Sequence, residues 1–181
     1  MTVLKDASTV ADAVPWSWLE PTTSRAEKTR PVCGCSHHSQ EYGNTAPMAE
    51  AVAEGLREAG CEVDLFNTND GRFDVTTFVQ YDCVAFGSPD YYSYVAGGLK
   101  MFMDDHYIAD VRKGMQGLKG KPYALFCSHG GGGRVKDVMP NLFKRIGTQV
   151  GELVASQRAP SPHVLERCKA LGKALADAVS G

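Results

Sequence analysis

At 181 residues, 43% of them hydrophobic and 22% charged, the chain has the length and apolar content of one domain with a sizeable core. A formal net charge of −2 and the lack of a dense basic run exclude a field that would draw in nucleic acid or an anionic membrane. The six cysteines lie scattered among apolar neighbours and the N-terminus has no charged segment leading into an apolar core, which argues against secretion and a disulfide framework and for a soluble, reducing compartment, the cytoplasm.

Residues 1–30 hold both tryptophans, Trp16 and Trp18, and end in a polar run, so they read as an extension ahead of a domain spanning 31–181. From residue 31 strands and helices alternate. Residues 32–38 form the first strand, followed by a helix in which Met48, Ala49, Val52, Ala53 and Leu56 recur on one face, with Thr45 as its cap, Pro47 in its first turn and Gly60 as its stop. The second strand, 61–66, alternates as an edge strand should; residues 74–80 predict a short helix. The third strand, 82–87, is a nearly continuous apolar run, which a strand buried on both faces requires.

A helix at 98–106, a fourth strand at 122–127, a helix from 134 to 146, a fifth strand near 150–156 and a last helix at 162–179 complete the pattern. Five strands alternating with helices predict an α/β fold, a doubly wound three-layer sandwich. In such a sheet ligands bind beyond the carboxyl ends of the strands, where the strand order reverses. Glycine, serine and tyrosine collect in the loops after strands one, three and four, and that clustering marks a site.

The first loop, Ser39-Gln40-Glu41-Tyr42-Gly43-Asn44-Thr45, runs straight into a helix, whose N-terminal N–H groups and dipole, with the Ser39 and Thr45 hydroxyls and the Asn44 amide, suit a phosphate dianion. The same residues also make an ordinary capped turn. The second loop runs from Gly87-Ser88-Pro89-Asp90 through Tyr91-Tyr92-Ser93-Tyr94 to Gly98, and its tyrosines suit a flat heterocycle or the cover of a sheet end. The third loop, Ser128-His129-Gly130-Gly131-Gly132-Gly133, lets backbone approach a ligand closely, and His129 is of the type that exchanges protons near neutrality. Its bland alternatives are a flexible surface loop and a structural histidine.

Cys33, Cys35 and His37 fall on one face of the first strand. Such a triad could ligate zinc or iron, but a lone Cys-x-Cys without a second pair is a poor metal signature, and core packing is the expectation; no metal and no iron–sulfur cluster are predicted.

Taken together, Ser39-x-x-Tyr42-Gly43-Asn44-Thr45, Gly87-Ser88-Pro89 through Ala96-Gly97-Gly98-Leu99-Lys100-x-Phe102-x-Asp104, and Ser128-His129-Gly-Gly-Gly-Gly133 resemble, in order, the flavin loops of the flavodoxin-like superfamily. The resemblance covers about residues 32–179 and looks strongest toward the NAD(P)H:quinone oxidoreductases once named tryptophan-repressor-binding proteins and their FMN-reductase relatives. It implies a five-stranded parallel sheet of order 2-1-3-4-5 and FMN as cofactor. It implies further that Ser39, Glu41, Tyr42, Gly43, Asn44 and Thr45 wrap the phosphate, that Pro89, Asp90, Tyr91, Tyr92 and Ser93 line the ring, and that Ser128, His129, Gly130, Gly131 and Gly132 meet its pyrimidine end, with His129 as the catalytic residue.

The implied activity is NAD(P)H-dependent reduction of a quinone or other small acceptor by a homo-oligomer, a dimer or tetramer. The rival readings are an electron-transfer protein that docks on a redox partner protein, and a binding module that has lost its flavin. Electron carriers of this kind are commonly acidic, and −2 is weak by that measure.

Overall fold

The computed structural model describes residues 31–37 and 43–180. Residues 1–30, with Trp16 and Trp18, and His38, Ser39, Glu41 and Tyr42 lie outside the described residues. The strands are β1 Val32–His37, β2 Glu62–Asn67, β3 Cys83–Pro89, β4 Tyr123–His129 and β5 Val154–Gln157. All pair in parallel, in the order β2-β1-β3-β4-β5. The order reverses between β1 and β3, so the loops that leave their carboxyl ends flank one crevice.

Alternate residues of the central strands feed two separate cores. Cys83, Ala85, Ala124 and Phe126 pack beneath α1 (Thr45–Glu58) and α4 (Pro162–Asp177). Val84, Phe86, Leu125 and Cys127 pack on the other face, against Leu99 and Phe102 of α2 (Gly97–Tyr107) and Met139 of α3 (Val135–Leu142). That is why β3 and β4 read as continuous apolar runs, whereas edge strand β2 alternates in exposure.

On one face α1 and α4 approach until their backbones nearly touch. A Cβ added at Gly55 would stand 2.0 Å from the Lys169 carbonyl, and one at Gly172 would stand 2.2 Å from that of Val52. Glycine at both positions permits this spacing, each set against the backbone of the opposite helix, and Lys169 closes the seam with ion pairs to Glu54 at 2.8 Å and Glu58 at 2.7 Å.

Several boundaries move from the sequence-based expectation. Thr45 is the first residue of α1 rather than its cap; Asn44 holds the cap position, without a side-chain capping bond. The helix expected over 134–146 ends at Leu142 and tightens into a 3₁₀ turn at Phe143–Arg145, and Pro140 inside the helix removes one backbone donor from its ladder. β5 starts at Val154, since the chain turns at Gly151 with φ +65°.

Cys33 and Cys83, expected as thiols packed in the core, instead pair as a disulfide between register neighbours of β1 and β3, with Cα atoms 4.9 Å apart. Both are fully buried, so a reductant reaches them only when the sheet opens. Among the described residues no group of three or more metal-ligating side chains gathers, and no helix is long and apolar enough to cross a membrane.

Candidate functional site

The carboxyl ends of β3, β4 and β5 and the start of α1 enclose a cleft of about 620 Å³, within the range of small-molecule sites. Its wall is formed by Gly43, Asn44 and Thr45 from the first loop, Pro89, Asp90 and Tyr91 from the second, Ser128, His129 and Gly130 from the third, and Arg158 and Ala159 after β5. All three sequence-predicted loops therefore converge, and a fourth segment joins them.

The first loop reaches the cleft through Gly43, whose φ of +61° turns the chain into α1. Thr45 follows, almost wholly buried, and its hydroxyl spends itself on the Ser128 hydroxyl 2.8 Å away. Ser128 in turn accepts, at its carbonyl, the Asp90 N–H at 2.8 Å. One residue thus ties the phosphate-type loop to both of the others.

The second loop is braced from below by Ser88, a role that its place in the sequence motif does not mark. Its buried hydroxyl donates to the Pro89 carbonyl at 2.8 Å and accepts the Ala96 N–H at 2.9 Å, fixing both ends of the 89–96 excursion. Between them Tyr91 and Tyr94 exchange backbone hydrogen bonds at 3.1 and 3.0 Å around a tight turn. Tyr92 and Ser93 take positive φ at its tip, 52° and 63°, in the mirror-image turn suited to such ribbons. That turn carries Tyr92 wholly into solvent, so Tyr91 lines the cleft while Tyr92 and Ser93 do not. The Asp90 carboxylate is turned to α3, where it accepts the Val135 N–H at 3.2 Å as a helix-terminal anion.

Of the third loop's glycines, Gly130 reaches the wall, while Gly131 and Gly132 stand in open surroundings and do not line it. Backbone need falls instead on Gly133, at φ +63°, where a Cβ would lie 3.0 Å from the His129 ring. His129 Nδ1 is, among the described residues, the one buried side-chain nitrogen or oxygen left without a hydrogen-bond partner. A buried polar nitrogen in that condition costs free energy until something satisfies it. Behind it, burial among apolar neighbours pushes the Cys127 thiol up to about 12, with the nearby Asp90 charge adding to the effect, so Cys127 is packing and not a nucleophile.

Arg158 and Ala159 escape a motif search because they belong to no loop pattern. The one signal in the sequence is position, an arginine just past the last strand of a sheet whose carboxyl edge holds the site.

The Flavodoxin family model matches residues 39–170. Among solved structures, a flavodoxin from the domain Archaea superposes with a TM-score of 0.70 at 24% identity, over 82% of this chain and 99% of that one. A WrbA-like flavodoxin protein from Agrobacterium tumefaciens gives 0.67 at 20% identity over 83% and 98%. Rubredoxin oxygen:oxidoreductase from Desulfovibrio gigas gives 0.68 at 20% identity, over 83% of this chain but 37% of its own longer chain.

Proposed function

Since the chain belongs to the flavodoxin family, whose members bind FMN, we propose that it is an FMN-binding oxidoreductase that uses NAD(P)H to reduce a quinone or other small acceptor. The observation that carries this is the convergence of the three loops on one cleft, locked by the Thr45–Ser128 hydrogen bond.

The residues present fit a flavin nucleotide. The N-terminus of α1, the Asn44 amide not used in capping and the one hydroxyl proton left over from the Thr45–Ser128 pair form a donor set for a phosphoryl group, to which the Ser39 and Tyr42 hydroxyls and the Glu41 backbone N–H would add. Tyr91 and Pro89 supply an aromatic and an apolar wall for a planar ring, and His129 stands on the same wall, at the ring's edge in this reading. A bound FMN would supply the redox chemistry itself, hydride acceptance from NAD(P)H and two-electron delivery to the acceptor. The protein's part is to hold the ring against Tyr91, to present His129 as the group exchanging a proton at the ring edge, and to leave one side of the cleft open.

NAD(P)H as co-substrate carries the cytoplasmic placement. The domain occupies residues 31–181 behind an extension of 1–30, and a homo-oligomer would cover Tyr107, Ile108 and Val111, exposed by 46%, 45% and 47% around the end of α2. The second reading, an electron carrier docking on a redox partner protein, is favoured by Tyr92, which projects fully into solvent beside the cleft as a contact for another protein.

The spectrum of the purified protein after FMN addition tests the cofactor, and anaerobic mixing with NADH or NADPH followed by a quinone tests the activity. Bleaching by a pyridine nucleotide and recovery on quinone addition are expected. Bound flavin that neither nucleotide reduces selects the electron carrier, and a colourless protein that takes up no FMN overturns both.

A further inference from the structure

Arg158 combines three properties that the fold alone does not require. It is a non-glycine residue at φ +63°, a conformation that costs an L side chain free energy. The strained turn is held by two hydrogen bonds, from the Arg158 N–H to the His129 carbonyl at 2.8 Å and from the buried Ser156 hydroxyl to the Arg158 carbonyl at 3.3 Å. And the residue lines the cleft, where, among the described lining residues, it is the one permanent cation.

Glycine at this position would relieve the backbone, and Arg158 has no carboxylate among the described residues within ion-pair distance to account for its keeping. Strain retained at a cleft marks a position where the side chain is used. The remainder of the described wall offers neutral hydroxyls, an amide and backbone N–H groups, together with an Asp90 carboxylate already engaged at α3. An anionic ligand there would lack a full counter-charge without Arg158.

We propose that Arg158 is an anion-binding residue of this cleft, contacting the negative charge of a flavin nucleotide from the β5 side; the assignment rests on the FMN reading given above. Two charges of that ligand qualify, the phosphate and the ring once it has taken up two electrons. The phosphate is favoured, since it is charged in every redox state and the cleft wall that Arg158 joins includes Gly43, Asn44 and Thr45. The guanidinium would grip it through charge-assisted hydrogen bonds.

The test compares wild type, Arg158→Gln, Arg158→Lys and Arg158→Gly in FMN and riboflavin titrations, with thermal melts and midpoint potentials. For phosphate contact, Arg158→Gln weakens FMN roughly tenfold or more and riboflavin less than twofold, and Arg158→Lys restores part of the loss. For contact with the reduced ring, FMN affinity holds while the midpoint potential falls by about 30 mV, the equivalent of tenfold for a two-electron couple. Arg158→Gly should melt higher than wild type in its flavin-free form while losing the same ligand interaction, an opposition that a structural arginine would not produce. The assignment is overturned if wild type binds FMN and Arg158→Gln matches it in affinity and potential, or if FMN and riboflavin weaken equally. Wild type that binds no FMN instead overturns the cofactor reading beneath it.

Discussion

The hydroxyls of Thr45 and Ser128 lie 2.8 Å apart, buried, although 83 residues separate them in the chain. The bond joins the start of α1 to the end of β4 and makes the two loops one surface. Thr45→Val keeps the shape and leaves Ser128 with a buried hydroxyl lacking this partner, a cost of about 1–3 kcal/mol in urea unfolding. FMN affinity should fall roughly tenfold with it, read by flavin fluorescence quenching. A stability loss with unchanged affinity would reduce the pair to a brace of the fold.

Of the four glycines in the third loop, Gly133 should be the one that matters for conformation. Gly133→Ala forces a Cβ into the left-handed region and to 3.0 Å from the His129 ring, so about 1–2 kcal/mol of stability should go. Gly131→Ala and Gly132→Ala meet open space and should each stay within about 0.5 kcal/mol of wild type. Equal sensitivity at all three positions would contradict the assigned geometry.

Arg72 donates to the Asp105 carboxylate, with Nε at 2.7 Å, and this bond holds the Asp105 carboxyl below its ordinary value. A carboxyl lowered in the folded state contributes stability above its unfolded pKa and loses it as pH falls through the folded value. Asp105→Asn should therefore cost about 1 kcal/mol or less between pH 5 and 7, and the gap from wild type should close below about pH 4. Denaturant melts at pH 7, 5, 4 and 3 check this; a gap that widens on acidification would be the wrong sign.

The Cys33–Cys83 pair predicts a thiol count. Alkylation of protein purified and denatured without reductant should leave at least two of the six cysteines unlabelled, and these two should be Cys33 and Cys83. Because the bond closes a loop with a sequence separation of 50 residues, replacing both by serine should lower stability by up to about 4 kcal/mol, the chain-entropy value for that length. Labelling of all six would remove the disulfide.

Apolar periodicity located the strands and the main helices of the described domain, though not the π-helical turn Ile108–Arg112, because burial on one face or two writes itself into the spacing of Met48, Val52 and Leu56 or into the unbroken run at Cys83–Pro89. Element ends were less legible: Pro140 and Gly151 each act through a single backbone bond or dihedral that periodicity does not register. Of the candidate site, the residues next to the strand ends, Gly43, Asn44, Thr45, Pro89, Asp90, Tyr91, Ser128, His129 and Gly130, were readable from motif order. Tyr92 and Ser93 were not separable from Tyr91 by composition, because a positive-φ turn decides which of them faces inward.

The sequence by itself determined the α/β alternation, the parallel sheet with its two cores, and the three loops that meet beyond its carboxyl edge, since each depends on local pattern and on rules of connection. Tertiary structure alone decided that Thr45 bonds Ser128 instead of capping its helix, that Cys33 and Cys83 are partners, that Asp90 serves α3, and that Arg158 completes the cleft. Each of these joins segments far apart in the chain, and whether two distant groups lie within hydrogen-bonding or bonding reach is settled by strand register and helix packing.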